Sequence, residues 1–282
     1  MRILKKSIRI TLLKFVKIFH LQHFDFSYKN TQFKASDSEQ GTAVVFLHGF
    51  LENRFMWNDI IEALPKKYRC ISLDLPGHGE SENLAYVHSM EEMAEVVKAM
   101  LDHLKIRRAI VVGHSMGGYV ALALADRYPD MLKGMVLMNS TARADSEERQ
   151  HNRDRAISLV KRNPKSYVRN SIPMLFRPVN RKKFHAELKQ VKEEALGTSA
   201  QGIVAALEGM KIRIDREVIL NFAPYPILFV ASQKDPVLAW EQLEEQFFHE
   251  AVEPLILSEG HMSHIENFSE LLVGLKTFLA RS

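Results

Sequence analysis

The stretch "AIVVGHSMGGYVALALADRYP", Ala109 to Pro129, constrains the fold more than any other. A β-branched apolar run enters a Gly-x-Ser-x-Gly turn, and an alanine- and leucine-rich run with helical spacing leaves it. A serine held between a strand and a helix needs a turn too tight for side chains two residues away on either side. Gly113 and Gly117 supply that room, with Gly118 behind them. Ser115 is thus a candidate nucleophile rather than an ordinary turn serine, and the helix N-terminus after it favours developing negative charge.

Buried strand patterns recur around this unit. "TAVVFLHGF", "RCISLDLPGHGES" and "KGMVLMNS" read as apolar strands, the first two ending in glycine-rich loops. "RFMWNDIIEALPKKY" and "SMEEMAEVVKAMLDHLKI" have helical spacing, the latter with Ser89 as cap and Glu92 three residues on. "FDFSYKNTQFKA" alternates like an antiparallel pair at a sheet edge. Strands apolar on both faces and alternating with helices predict an α/β fold, a mostly parallel twisted sheet flanked by helices.

The alternation breaks after the strand ending near Asn139. From 141 to 221 the chain reads as helices, including "ADSEERQHNRDRAISLVKRNP", "KSYVRNSIPMLF", "NRKKFHAELKQVKEEAL" and "SAQGIVAALEGM". "YPILFVAS", the helix "WEQLEEQFFHEA", "EPLILSE" and a last helix from about Asn267 to Ala280 then resume the sheet pattern. The expected organisation is a core of residues 23–140 and 222–282, a helical cap over 141–221, and an N-terminal amphipathic helix over 1–22.

That N-terminal segment, "MRILKKSIRITLLKFVKIFH", places Leu4, Ile8, Leu12, Phe15, Val16 and Phe19 on one helical face. Its lysines interrupt the apolar run short of a bilayer span, and no signal-peptide cleavage site follows. Two readings stand: a helix packed on the domain or a partner, or one lying on an anionic membrane surface through residues 1–20. The expected location is the cytoplasm, with peripheral membrane association in the second reading. The single cysteine, Cys70, excludes an intrachain disulfide and reads as a buried structural thiol.

A serine needs a base, and the base needs an acid to orient it. "ILFVASQKDPVL" puts Asp235 just after a strand, and "LILSEGHMSHIENF" puts His261 after the next. Ser115, Asp235 and His261 each sit at the carboxyl end of a predicted strand, where an open parallel sheet collects its reactive groups. His264 is the rival base. Asn139, at another strand end, is not ionisable. Two backbone N–H groups would complete the site as an oxyanion hole: that of Met116, after the serine, and that of Phe50, in the loop shaped by His48 and Gly49.

Together, "FLHGF", "LDLPGHGES", "GHSMGG", "QKDP" and "EGHMSHIENF" resemble the α/β-hydrolase superfamily of serine hydrolases with a helical cap. The resemblance runs from about Phe24 to the C-terminus. It implies the α/β-hydrolase fold and a catalytic triad, with Ser115 as nucleophile on an elbow formed with Gly113, His114 and Gly117, His261 as base and acid, and Asp235 as orienter. "DLPGHGES" is read as loop structure rather than chemistry. Within the superfamily the chain is most similar to esterases and 3-oxoadipate enol-lactonases, the latter through "GIVAALEGMKIRID". A serine at position 115 argues against the branches that use an aspartate nucleophile.

The expected activity is hydrolysis of a small-molecule ester or lactone through an acyl-enzyme on Ser115. C–C bond hydrolysis and acyl transfer need the same triad and stay open, as does a non-catalytic binding role. No cofactor or metal is implied, for the chain has neither a phosphate-binding glycine loop nor clustered metal ligands. No motif points to nucleic acid, and the oligomeric state is left open. The net charge is +4. Much of the surplus falls in the cap, on Arg149, Arg153, Arg155, Lys161, Arg162, Arg169, Arg177, Arg181, Lys182 and Lys183. These are expected on solvated faces paired with Glu147, Glu148 and Asp154, the alternative being a basic lid for an anionic substrate. Ile172, Met174, Leu175 and Phe176 either line an acyl pocket or belong to the core.

Overall fold

The computed structural model describes residues 21–282. Of the helix expected over 1–22, residues 1–20 lie outside the described residues, and Gln22 already belongs to the first strand. Among the described residues, β1 (Gln22–Tyr28), β2 (Thr31–Asp37), β3 (Thr42–Leu47), β4 (Tyr68–Leu73), β5 (Ala109–His114), β6 (Leu132–Met138), β7 (Ile227–Ser232) and β8 (Val252–Leu257) form one sheet. Its spatial order is β1-β2-β4-β3-β5-β6-β7-β8. The β1–β2 and β2–β4 pairs are antiparallel and the other five are parallel. The alternating segment at residues 24–35 thus forms the expected hairpin at one edge.

The helices are α1 (Asn58–Ala63), α2 (Met90–His103), α3 (Met116–Arg127), α4 (Glu147–Arg162), α5 (Pro164–Leu175), α6 (His185–Ala195), α7 (Ala200–Lys211), α8 (Glu217–Phe222), α9 (Trp240–Glu244), α10 (Ser263–Glu266) and α11 (Phe268–Arg281). None is long and apolar enough to cross a membrane. Ser89 caps α2 as expected, accepting from the Glu92 N–H at 3.1 Å. Two helices are shorter than their periodicity suggests. The first divides into a 3₁₀ turn (Arg54–Trp57) and α1, and it stops at Ala63 because Pro65 forces Leu64 into extended backbone. The second breaks into α9 and a 3₁₀ turn (Glu245–Phe247).

The sheet is apolar on both faces because both are covered. Val45, Leu47, Ile71, Leu73, Val111 and Leu137 pack with α2 and α3. The alternate residues Val44, Phe46, Cys70, Val112 and Met138 pack with Ile60 and Ile61 of α1 and Leu271, Leu275 and Phe278 of α11. Burial raises the Cys70 thiol to about 12, so it stays a neutral core side chain.

Helices α4 to α8 all lie between β6 and β7. α7 approaches the core through its glycines. A Cβ on Gly202 would stand 2.2 Å from the Gly77 carbonyl oxygen, and one on Gly209 would stand 1.7 Å from that of His88. The stretch "GIVAALEGMKIRID" therefore has a packing reason for its glycines. The "DLPGHGES" loop is built around Asp74, which accepts from the N–H groups of Arg54 (2.7 Å) and Glu80 (2.9 Å) and pairs with the Arg54 guanidinium.

Candidate active site

Ser115 joins β5 to α3 with φ 49° and ψ −112°, a strained conformation for a residue with a side chain. The glycines explain why the chain can turn there. A Cβ on Gly113 would lie 2.3 Å from the Gly117 carbonyl oxygen, and one on Gly117 would lie 2.2 Å from that of Leu47. The serine backbone is pinned from β6 and beyond: its N–H donates to the Met138 carbonyl at 2.9 Å, and its carbonyl accepts from the Ser140 hydroxyl at 2.8 Å. Met116 opens α3, so its N–H has no intrahelical acceptor.

Asp235 and His261 follow β7 and β8 and meet. His261 Nδ1 donates to Asp235 Oδ2 at 2.7 Å, with both side chains buried. Asp235 Oδ1 accepts from the N–H groups of Val237 (2.8 Å) and Leu238 (3.1 Å). Burial pushes the Asp235 carboxyl upward, but His261, the Val237 N–H and the Asn139 amide outweigh it and hold the group below its ordinary value. Asn139 is not an acid, yet it belongs to this constellation. Its Nδ2 donates to Asp235 Oδ2 (3.0 Å) and Ser232 Oγ (2.9 Å), and its Oδ1 accepts from Ser263 Oγ (2.6 Å). Its left-handed backbone, φ 46°, is one asparagine tolerates.

His264 is not brought to Asp235. It is buried with Nδ1 unpartnered, and its Nε2 lies 3.9 Å from Glu52 Oε1. Burial lowers it to about 4, so it is neutral near pH 7.

Glu52, which no sequence signal marked, ties the loops together. Its Oε2 accepts from the Gly49 N–H at 2.8 Å and from His114 Nδ1 at 2.7 Å. The other nitrogen of His114, Nε2, donates to the His261 carbonyl at 3.0 Å. Since both ring nitrogens face acceptors, His114 carries two protons. Burial opposes that charge, but Glu52 prevails and raises His114. Burial likewise works to raise Glu52, and His114 brings it down to about 2. The ligand atoms of Glu52, His114 and His264 lie within 4.8 Å of one another. In its doubly protonated state His114 offers no lone pair, and the cluster is held together as an ion pair. His48 holds the same loop as a neutral ring. Its Nδ1 donates to the Gly49 carbonyl (2.7 Å), its Nε2 accepts from the Leu75 N–H (2.9 Å), and burial lowers it to about 4. Leu51, next to Phe50, is strained at φ 63°.

Ser115 and His261 line one small cavity of about 90 Å³, together with Phe50, Glu52, His114, Tyr119 and residues from the helices after β6. A groove of about 650 Å³ beside it shares Phe50 and Leu175 and includes Met174. The four apolar residues left open by the sequence therefore divide. Met174 and Leu175 line the groove, while Ile172 and Phe176 are core. The basic residues divide as well: Arg155, Lys161, Arg162, Arg169, Lys182 and Lys183 are exposed as expected, but the expected pairing is not what forms. Among the described residues, Glu147 and Glu148 take no arginine, and Asp154 pairs with Lys211. Arg149 and Arg153 turn instead to Asp145, because their positions on α4 face inward and both line the Ser115 cavity.

Comparison with known proteins agrees with this architecture. Residues 42–268 match the family model of the alpha/beta hydrolase fold. The chain is 30% identical over 248 residues to the dihydrolipoyllysine-residue acetyltransferase component of the acetoin cleaving system of Pseudomonas putida, a match covering 86% of this chain and 65% of that protein. It thus spans just under two thirds of that relative's length. A malate-bound thermophilic esterase from Thermogutta terrifontis superposes with a TM-score of 0.85 at 28% identity, over 92% of this chain and 98% of that one. The enol-lactonase from Burkholderia xenovorans LB400 shares the fold, with a TM-score of 0.84 at 22% identity over 91% of this chain and all of that one. By its family match and its sheet, the chain belongs to the α/β hydrolase fold family.

Proposed function

We propose that the protein is a serine hydrolase that cleaves a carboxylic ester or lactone through an acyl-enzyme on Ser115, with helices α4 to α8 as a cap over the site. The observation that carries this reading is the 2.7 Å bond between His261 Nδ1 and Asp235 Oδ2 beside a strained serine in the same cavity. Esterase chemistry is favoured by the likeness to the Thermogutta terrifontis esterase.

Asp235 accepts a hydrogen bond from the Nδ1–H of His261 and thereby keeps Nε2 unprotonated, free to take the proton of the Ser115 hydroxyl. The serine oxygen attacks the carbonyl carbon. The negative charge moves to the carbonyl oxygen, where the N–H groups of Phe50 and Met116 receive it. His261 then gives its proton to the departing alkoxide, which leaves as an alcohol. In a lactone that alcohol stays attached to the acyl chain. Water attacks the acyl-enzyme with His261 again as base, and the acid and free serine result. Asp235 remains ionised throughout, offsetting the imidazolium.

The test is release of 4-nitrophenol from 4-nitrophenyl butyrate by the wild type and by Ser115→Ala. The variant should lose turnover by about 10⁶-fold at an unchanged melting temperature. A fluorophosphonate should label the wild type alone. Turnover or labelling that survives in Ser115→Ala would sink the assignment.

A further inference from the structure

The cap side of the Ser115 cavity carries more positive charge than the fold can neutralise. Three guanidiniums converge on the single carboxylate of Asp145, whose side chain is 0% exposed. Arg213 Nη1 lies 2.6 Å from Oδ1, Arg149 Nε lies 3.2 Å from the same oxygen, and Arg153 Nε pairs with Oδ2. Burial works to raise the Asp145 carboxyl, but Arg153 and Arg213 hold it down, so it stays ionised. One negative charge therefore stands against three positive ones.

The three arginines are not used alike. Arg213 is consumed by the fold. It is buried, donates to the carbonyls of Met210 (2.9 Å) and Arg143 (3.2 Å), and lies 4.1 Å over the Tyr119 ring. Arg149 spends one donor on the Val237 carbonyl at 3.1 Å. Arg153 has no acceptor besides Asp145 among the described residues. Arg149 and Arg153 also occupy a particular place. They line the cavity of Ser115 and His261 on one side and an outer pocket of about 280 Å³ with Tyr167 and Leu207 on the other. The one acid in the inner cavity, Glu52, is already committed to His114 and Gly49. A partly buried guanidinium with spare donors and only a share in one counter-charge is a receptor for a planar anion, which it grips with two parallel N–H bonds.

We propose that Arg149 and Arg153 form an anion subsite of the cavity and that the substrate of the Ser115 site carries a free carboxylate besides its ester or lactone bond. Asp145 acts as a positioning residue that aims both guanidiniums from behind. The proposal deepens the serine-hydrolase reading and rests on it for the substrate's second group, but the anion site itself can be measured without turnover.

The experiment is calorimetric titration of Ser115→Ala with monomethyl glutarate and with dimethyl glutarate, which differ in one carboxylate. The half-ester should bind at least about tenfold tighter, as charge-assisted hydrogen bonds predict. The difference should shrink as salt is added. It should vanish when Arg149→Gln and Arg153→Gln are introduced together, with Arg153→Gln alone removing most of it. Equal affinity of the two esters, or no measurable binding of the half-ester, overturns the proposal even if the arginine variants fail to fold. A preference that persists in a folded double variant overturns it too. Hydrolysis of mono(4-nitrophenyl) glutarate by the wild type reads the serine separately. Half-ester preference without serine-dependent release upholds the subsite and removes the acyl-enzyme. Serine-dependent release with equal affinities does the reverse.

Discussion

On the sheet side of the Ser115 cavity each buried carboxylate is met by a histidine N–H: Glu52 by His114 at 2.7 Å, and Asp235 by His261 at the same distance. On the helical side Arg149, Arg153 and Arg213 share Asp145 alone. The first wall is closed by hydrogen bonds within the fold. Its dipoles and protons are fixed before anything binds, as a site that moves a proton requires. The second is open, and a ligand has to complete it. On the proposed reading the sheet side does the chemistry and the helical side chooses what enters.

The sharpest break of this comparison is on the sheet side. Asp235→Asn keeps the shape but puts an amide opposite His261, which favours the wrong tautomer. The expected loss in kcat is about 10⁴-fold, with KM nearly unchanged, measured with 4-nitrophenyl butyrate. A loss under about tenfold would mean that Asp235 does not orient the base.

Glu52→Gln tests whether the closed wall acts as a unit. It removes the counter-charge of a buried imidazolium and weakens the tie between Gly49, His114 and the His261 carbonyl. The expected cost in urea unfolding is about 3 kcal/mol, because one partner of a buried pair is left behind. Activity should fall through kcat rather than KM, and Glu52→Asp should restore part of it. Unchanged stability and kcat would show that Glu52 holds nothing the reaction uses.

The site was legible in the sequence to the extent that it is local. The elbow declares itself because Gly113, Ser115 and Gly117 must meet within one turn, and no other spacing has the room. Asp235 and His261 could be placed because a parallel sheet gathers residues at its strand ends. Glu52 could not, for its meaning comes from His114, 62 residues away, and nothing around it differs from an ordinary helix approach. Arg149 and Arg153 were visible only as two of ten basic residues, read as solvated or, alternatively, as a basic lid for an anionic substrate. Their inward turn depends on Asp145 and Arg213, which the chain brings together across some 70 residues. Asn139 could be set aside as an acid but not identified as the amide that holds one.

Acid should open the closed wall from within. Burial keeps His48 and His264 neutral, each lowered to about 4, and His78 is lowered to about 3. The unfolded chain takes up protons on these rings below about pH 6.5, while the folded chain does so only near those depressed values. Stability is therefore lost as pH falls through this window. One such ring alone contributes a loss of about 2 kcal/mol between pH 6.5 and 5. Urea midpoints measured down that range should drop with a slope of more than one proton. Flat midpoints would mean that the rings are protonated in the fold.

The smallest expected effect separates the two walls most finely. Ser89 and Ser146 are equivalent helix caps: each accepts from the amide three residues on, at 3.1 Å from Glu92 and 3.3 Å from Arg149. Replacing either by alanine should cost about 1 kcal/mol. Their consequences should differ, because α2 packs under the sheet while the first turn of α4 carries Arg149. Ser89→Ala should leave the ratio of kcat/KM for mono(4-nitrophenyl) glutarate over 4-nitrophenyl butyrate as it is. Ser146→Ala should lower that ratio about two- to threefold, since fraying the first turn of α4 loosens the arginine it aims. Equal ratios in the two variants, at equal loss of stability, would place the choice of substrate outside α4 and leave the open wall without a task.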